Sequence, residues 1–445
     1  MQVETAVLPA GTRVPSLEEM QSTDVREAFR GLASRTEIGQ SRVAQETVGP
    51  ARSYAPLAEE RSRIPPLPSV EVRAFGRAEP KKIIYPEPSR TMSEAECRKG
   101  LGETRPFFFK SRFSACSGAV FVQTWIKNNR PVGQSQFVAL AVGTIPKNSR
   151  KINYKYHFTD MEKTGDAKTS GLKITIDPKH PKTWPSKVKI KQGGNVPKSP
   201  TFDVLKSLKT FPHTATVNAG QGSKPDDRVF GVYEPVITLT PPAGYKLGGD
   251  LTGKLFMLPP RWDAASYLPN AKGTTGKPAT KGSAAFSYIG FLKYSTKAGS
   301  PEKAVSDHIE KAFKDPLNTK PTNADKNIPG ATPERSLSRL FHNKKRHARN
   351  RAAAVRTCVK YWGKDYAKGG MECDEFPFAS TYQGAAQKKD EPTAPADNFS
   401  VLPIPKTENG AGGTMLAQFY EKYRVIDGMH SSPNKADDAF IVVIS

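Results

Sequence analysis

Apolar and polar residues alternate with a period of two through the middle of this chain, as they do in strands with one buried face. Ala119–Ile126 and Gln136–Val142 both read as strands. The loop between them contains Asn128-Asn129-Arg130-Pro131-Val132-Gly133, which signals a hairpin. Lys151–Phe158 alternates cleanly, Leu172–Ile176 and Val188–Ile190 do the same, and Val236–Thr240 and Lys254–Leu258 follow. Phe107-Phe108-Phe109 opens the series, and Phe286–Phe291 is expected to close it. About eight short strands with turn residues between them suggest a sandwich or barrel over residues 96–295.

The pattern changes on both sides of that region. Residues 1–95 are polar and proline-rich and read as an extended or disordered arm with one short helix. That helix runs from Ser16 to Arg30, with Ser16 as its cap, Glu19 completing a capping box, and a patchy apolar stripe of Leu17, Met20, Val25, Phe29 and Leu32. Residues 296–333 read as a helix and a linker: Ser300-Pro301-Glu302-Lys303 starts the helix, Ala304, Ile309, Ala312 and Phe313 give its apolar face, and Pro316 ends it. Residues 334–445 read as a small α+β domain, with strands around Phe399–Ile404 and Phe440–Ile444 framing a helix from about Thr414 to Tyr423. The expected fold is therefore multidomain, with an extended arm, an all-β sandwich- or barrel-like middle and a small α+β C-terminal domain.

Composition adds the partner class. The chain has 445 residues, of which 37% are hydrophobic, so part of it is expected to bury no core. A formal charge of +24 suggests a polyanion as partner: nucleic acid, an anionic membrane or a cell-wall polymer. The outward face of the middle region is rich in lysine, which suits a solvated face and a binding face equally. No run is long enough to span a membrane. Met1 opens no charged-then-apolar signal pattern, so a signal has been removed, the start lies too late, or export is absent. The body of the chain reads as secreted.

Cys97, Cys116, Cys358 and Cys373 fall as two sequence-local pairs, without a Cys-x-x-Cys or zinc spacing. Three pairings are possible. Two local disulfides are the natural reading, and a Cys358–Cys373 bridge would tie a basic segment to an acid pair. The basic segment crowds Lys344, Lys345, Arg346, His347, Arg349 and Arg351 together, a density that suits nearby phosphates or acids. The acid pair is Asp374-Glu375, just ahead of Pro377. Neighbouring side chains point apart on a strand and on a helix, so these two reach one ligand only near an element end or a turn. The plain alternative is a pair of helix N-terminal acids.

The stretch Cys373-Asp374-Glu375-Phe376-Pro377-Phe378-Ala379-Ser380-Thr381-Tyr382-Gln383-Gly384 carries a family resemblance. It continues through Ser400–Pro405, Glu408-Asn409-Gly410, Gly412-Gly413, Leu416–Tyr420 and Tyr423–Gly428. Over roughly the last quarter of the chain it resembles the NucA/NucB-type deoxyribonucleases, small secreted bacterial DNA endonucleases. The resemblance implies a metal-dependent phosphodiester hydrolase acting on DNA, with Mg2+ or Mn2+ as the ion. Asp374 becomes the first candidate metal ligand and Glu375 a second ligand or the general base. Asn409, in an Asn-Gly turn, becomes a further catalytic candidate, although Asn-Gly favours plain turns too. Arg349, Arg351, Lys345, Arg346, Gln383, Gln418 and Ser380 are the candidates for substrate contact. Better-known short members carry an acid where Gln383 stands. His342, His347 and His430 read as solvated polar residues, and the sequence displays no Ser-His-Asp arrangement. Two other classes stay open: a non-catalytic binder of DNA or wall polymer, and a delivered nuclease toxin with an acidic inhibitor or immunity protein as partner.

Overall fold

In the computed structural model of the chain, the described residues are 1–32, 71–73, 82–103, 105–218, 220–255, 259–270, 282–428 and 436–445. About half of the expected arm, residues 271–281 and His430 lie outside them. The chain divides into two compact units, one of Met1–Gly49 with Ser89–Ser287 and one of Pro50–Pro88 with Tyr288–Ser445.

In the first unit the long hairpin forms where the alternation places it. Ser114–Lys127 and Arg130–Thr144 pair antiparallel around Asn128-Asn129, both with positive φ, 48° and 62°. A two-residue hairpin loop asks for that backbone, and asparagine tolerates it. Ile152–Gly165, Thr210–Val217 and Ile190–Gly194 extend the sheet on one side. Gln2–Pro9 extends it on the other, which corrects the expectation of an arm from the first residue. Val3 and Leu8, on opposite faces of this strand, are both completely buried, and its partner strand lies more than a hundred residues away. The helix expected after Ser16 is present as a short 3-10 turn, Glu19–Gln21, followed by a helix at 23–32. Its capping box is formed: the Glu19 N–H donates to Ser16 Oγ at 3.2 Å and the Ser16 N–H to Glu19 Oε2 at 2.7 Å.

Two smaller sheets complete this unit. One pairs Thr252–Lys254, Glu234–Thr240 and Lys173–Lys179; the other pairs Ser283–Phe286, Pro260–Asp263, Arg228–Gly231 and Thr183–Trp184. Phe121 and Phe137 stack at 4.8 Å on one face of the large sheet. The Phe121 ring comes so close to Gly253 that a Cβ there would meet it at 2.4 Å, so the three-stranded sheet packs against this face. The Cys97–Cys116 disulfide lies in the core on the opposite face, among Leu101, Val120 and Leu140.

The second unit takes in more of the chain than residues 334–445. The expected strand Phe286–Phe291 is split: Ser283–Phe286 stays in the first unit, and Gly290–Tyr294 pairs parallel with Phe440–Ile444 in the second. The helix Lys303–Lys314 also belongs here, and its buried Val305, Ile309 and Ala312 join Met415, Phe419, Phe376 and Phe440 in one core. Each such large side chain contributes roughly 1.5–3 kcal/mol by leaving water. Two further helices, Lys344–Trp362 and Lys406–Lys422, flank an antiparallel ribbon of Met371–Phe376 and Ser400–Pro405.

The helix expected near Thr414 starts earlier, at Lys406, and runs through Asn409-Gly410. Tertiary contacts override the turn preference of that dipeptide. Glu408 Oε2 accepts the Ala304 N–H at 2.6 Å, satisfying a first-turn amide of the neighbouring helix. Gly412 lies against Val305 so tightly that a Cβ would meet it at 2.9 Å. That glycine serves helix packing.

Candidate active site

The acid pair lies on the strand Met371–Phe376, where Asp374 pairs with Leu402 and Glu375 with Val401. Alternation gives the strand two faces. Glu372, Asp374 and Phe376 face one way and meet Asn409, His308 and Phe313. Cys373 and Glu375 face the other way and meet Cys358 and Arg351 of the basic helix Lys344–Trp362. On that helix Arg351 and Cys358 are seven residues, two turns, apart, which puts both on the side facing the strand. The Cys358–Cys373 disulfide thus forms as expected and fixes the helix over Glu375.

Glu375 is 8% exposed. It is paired with Arg351, whose Nη1 also donates to the Cys373 carbonyl at 2.7 Å. Burial pushes the Glu375 carboxyl up to about 7; the Arg351 charge pulls it down, and the Asp374 charge pushes it up. His347 stands one turn before Arg351, and desolvation with the charges of Lys344 and Arg351 lowers its pKa. Its imidazole is therefore neutral at pH 7.

Behind the strand, Asp374 Oδ2 accepts from His308 Nδ1 at 2.6 Å, and His308 Nε2 lies 2.7 Å from Ser400 Oγ. With the ring proton on Nδ1, the serine hydroxyl donates to Nε2. A Ser-His-Asp chain therefore exists where the sequence displayed none. All three residues are buried, with Ser400 and His308 no more than 2% exposed, so this chain orders the site from within and does not offer a nucleophile to a polymer. The sequence did hold a signal for His308, a polar residue between Val305 and Ala312 on the buried stripe of its helix.

The rest of the signature builds the loop that follows the acid strand. Asn350, fully buried on the basic helix, donates from Nδ2 to the carbonyls of Ala379 and Thr381, both at 3.0 Å, and accepts the Ala386 N–H at 3.1 Å. Gly384 makes room for it, since a Cβ there would meet Asn350 Nδ2 at 2.4 Å. Tyr382 donates to buried Asp427 at 3.0 Å, and Asp427 also accepts the Phe341 N–H at 2.7 Å.

The other candidates have internal partners. Arg346 donates to the Tyr382 carbonyl and to Glu391, and Arg349 pairs with Asp390. Lys345 is exposed. Gln383 accepts the Ser338 N–H at 3.0 Å, and Ser380 meets the Tyr420 hydroxyl at 3.1 Å. Gln418 holds the segment before Tyr85, donating to the Ile83 carbonyl and accepting the Tyr85 N–H, both at 2.8 Å. Asn409 donates to Glu372 at 3.0 Å from within its helix and stands in no turn.

The metal pair implied by the resemblance does not fit this geometry. Asp374 and Glu375 are aimed at opposite helices, so they cannot grip one ion together. Among the described residues no three of His, Cys, Asp and Glu converge to hold one.

No curated protein and no solved structure matches the chain. A family does: residues 326–430, which carry the acid strand, the basic helix and the loop that Asn350 secures, match the family described as Deoxyribonuclease NucA/NucB and mark a domain of that family at this end of the chain.

Proposed function

We propose that the second unit hydrolyses DNA phosphodiester bonds with Glu375 as general base and Arg351 as the group that meets the phosphate. The family match supports the reaction class. The assignment of residues rests on one observation, a buried carboxyl paired with a half-exposed guanidinium, and burial pushes that carboxyl up to about 7. A general base is most effective when its pKa lies near the working pH, and burial is what puts this one there. A carboxyl poised there is a better proton acceptor than an ordinary one, and its ionised form can take a proton from an attacking water. The Arg351 side chain is 41% exposed, and this reading assigns its guanidinium to meet a phosphate oxygen. As phosphate draws that charge away, Glu375 loses part of its counter-charge and becomes more basic. Asp374 helps from behind the strand, because its charge also disfavours ionisation of Glu375.

A site of action outside the cell is part of this proposal, and its support is the two disulfides, which suit an oxidising compartment. No helix among the described residues is long and apolar enough to cross a membrane.

Nicking of supercoiled plasmid by the whole chain tests the assignment. Glu375→Gln is expected to slow it by about 100-fold or more. A Gln variant within a few-fold of the parent would remove Glu375 from the chemistry. Treatment with a chelator, then Mg2+ or Mn2+, on the same preparation measures whether an ion is required as well.

A further inference from the structure

We propose that the first unit carries a second nucleic-acid site, an open cleft that binds single strands by stacking a base on Trp184. The inference goes beyond the hydrolytic reading and does not need it, because it concerns binding by a different unit.

Three of the chain's four tryptophans lie in this unit. Trp125 and Trp262 are fully buried, and their indole N–H groups donate to Ser135 Oγ at 3.0 Å and the Arg150 carbonyl at 2.7 Å. Trp184 is the exception, with 39% of its surface exposed. A tryptophan has 150–250 Å² to bury, so leaving this much in water forgoes stability that the other two collect. Its place is defined. Trp184 pairs in register with Phe230 of the strand Arg228–Gly231, and the two rings stand 5.9 Å apart. Together they form an aromatic wall in a cleft of about 780 Å³. The cleft is also lined by Lys189, just before the sheet's edge strand Ile190–Gly194, and by Ile190 and Gln192 of that strand.

The charged side chains lining the cleft are lysines. From Pro181 to Pro200 the sequence has five lysines, Lys182, Lys187, Lys189, Lys191 and Lys198, and no acid. All five are exposed, and Lys182 and Lys189 line the cleft itself. A cleft of this kind selects a polyanion that also presents free planar rings. Single-stranded nucleic acid has both: phosphates along its backbone and bases whose faces are open to an aromatic side chain. A duplex has the phosphates but keeps its bases stacked on one another. An anionic sugar polymer has charge but no planar rings.

The test is binding of a fluorescein-labelled, phosphorothioate-linked dT12 to the whole chain, read by anisotropy against salt. The thioate linkage keeps the strand intact whatever the second unit does, so failure here and failure of the hydrolytic reading are told apart. Trp184→Ala is expected to weaken binding by about fivefold or more without changing the salt slope, and Trp184→Phe to keep most of the affinity. Lys182→Gln with Lys189→Gln is expected to flatten the salt slope by about 1.4, about 0.7 for each phosphate contact on a single strand. A 12-base-pair thioate duplex should be indifferent to Trp184→Ala. The inference is overturned if Trp184→Ala leaves dT12 binding unchanged with circular dichroism unaltered. It is equally overturned if duplex binding falls as much, or if only an anionic polysaccharide binds with Trp184 dependence.

Discussion

Replacing Glu375 by Gln should stabilise the second unit at alkaline pH while slowing its chemistry by about 100-fold or more. The substitution keeps the size of the side chain and removes its ability to ionise. The carboxyl stands at about 7 in the fold against an ordinary 4.5. At about 1.4 kcal/mol per pH unit, that difference corresponds to about 3 kcal/mol. Its sign follows from which form the fold prefers. A carboxyl whose folded pKa is raised contributes stability that is fully present below 4.5 and is lost as pH rises through about 7. Glutamine behaves as the protonated form at every pH. Parent and variant should therefore be about equally stable at pH 4, and the variant should lead by up to about 3 kcal/mol at pH 8. Arg351 tolerates the change because it is half exposed and can be solvated. Urea unfolding at pH 4, 6 and 8 measures the difference, and the activity profile of the parent should bend near pH 7. A Gln variant no more stable than the parent at pH 8 would refute the claim that burial of a reluctant charge poises this group.

Asp374→Asn removes a charge that raises the Glu375 pKa, so the acid limb of the activity profile should move to lower pH; an unmoved limb in this variant would separate the two carboxyls. Gly384→Ala forces a Cβ to within 2.4 Å of Asn350 Nδ2 and should cost about 1–3 kcal/mol, seen as a lower urea midpoint. Opening the Cys358–Cys373 bridge by Cys→Ala at both positions releases a loop of 15 residues and should cost about 3 kcal/mol, with unfolding again as the measure.

What the sequence determined by itself is local. The Asn128-Asn129 hairpin, the Ser16–Glu19 capping box and the long strands of the middle region were legible because turn dihedrals, caps and a period of two are properties of a few adjacent residues, whereas the strand expected at Val188–Ile190 starts only at Ile190. The two disulfides were legible for a related reason, since each joins cysteines fewer than 20 positions apart. The acid pair was found, and the rule that adjacent strand positions point apart was already in hand. Only the tertiary structure decided what each acid meets. His308 reaches Asp374 from 66 residues away, on a helix whose apolar stripe reads as an ordinary core face. The crowding of Arg346, Arg349 and Arg351 called for phosphates or acids nearby, and the fold brings Glu391, Asp390 and Glu375 to them. Asn409-Gly410 reads as a turn, yet Glu408 capping one helix and Gly412 packing on Val305 hold it helical. In each case a contact distant in sequence outweighs a local preference of about a kilocalorie, and no pattern within one segment contains that contact.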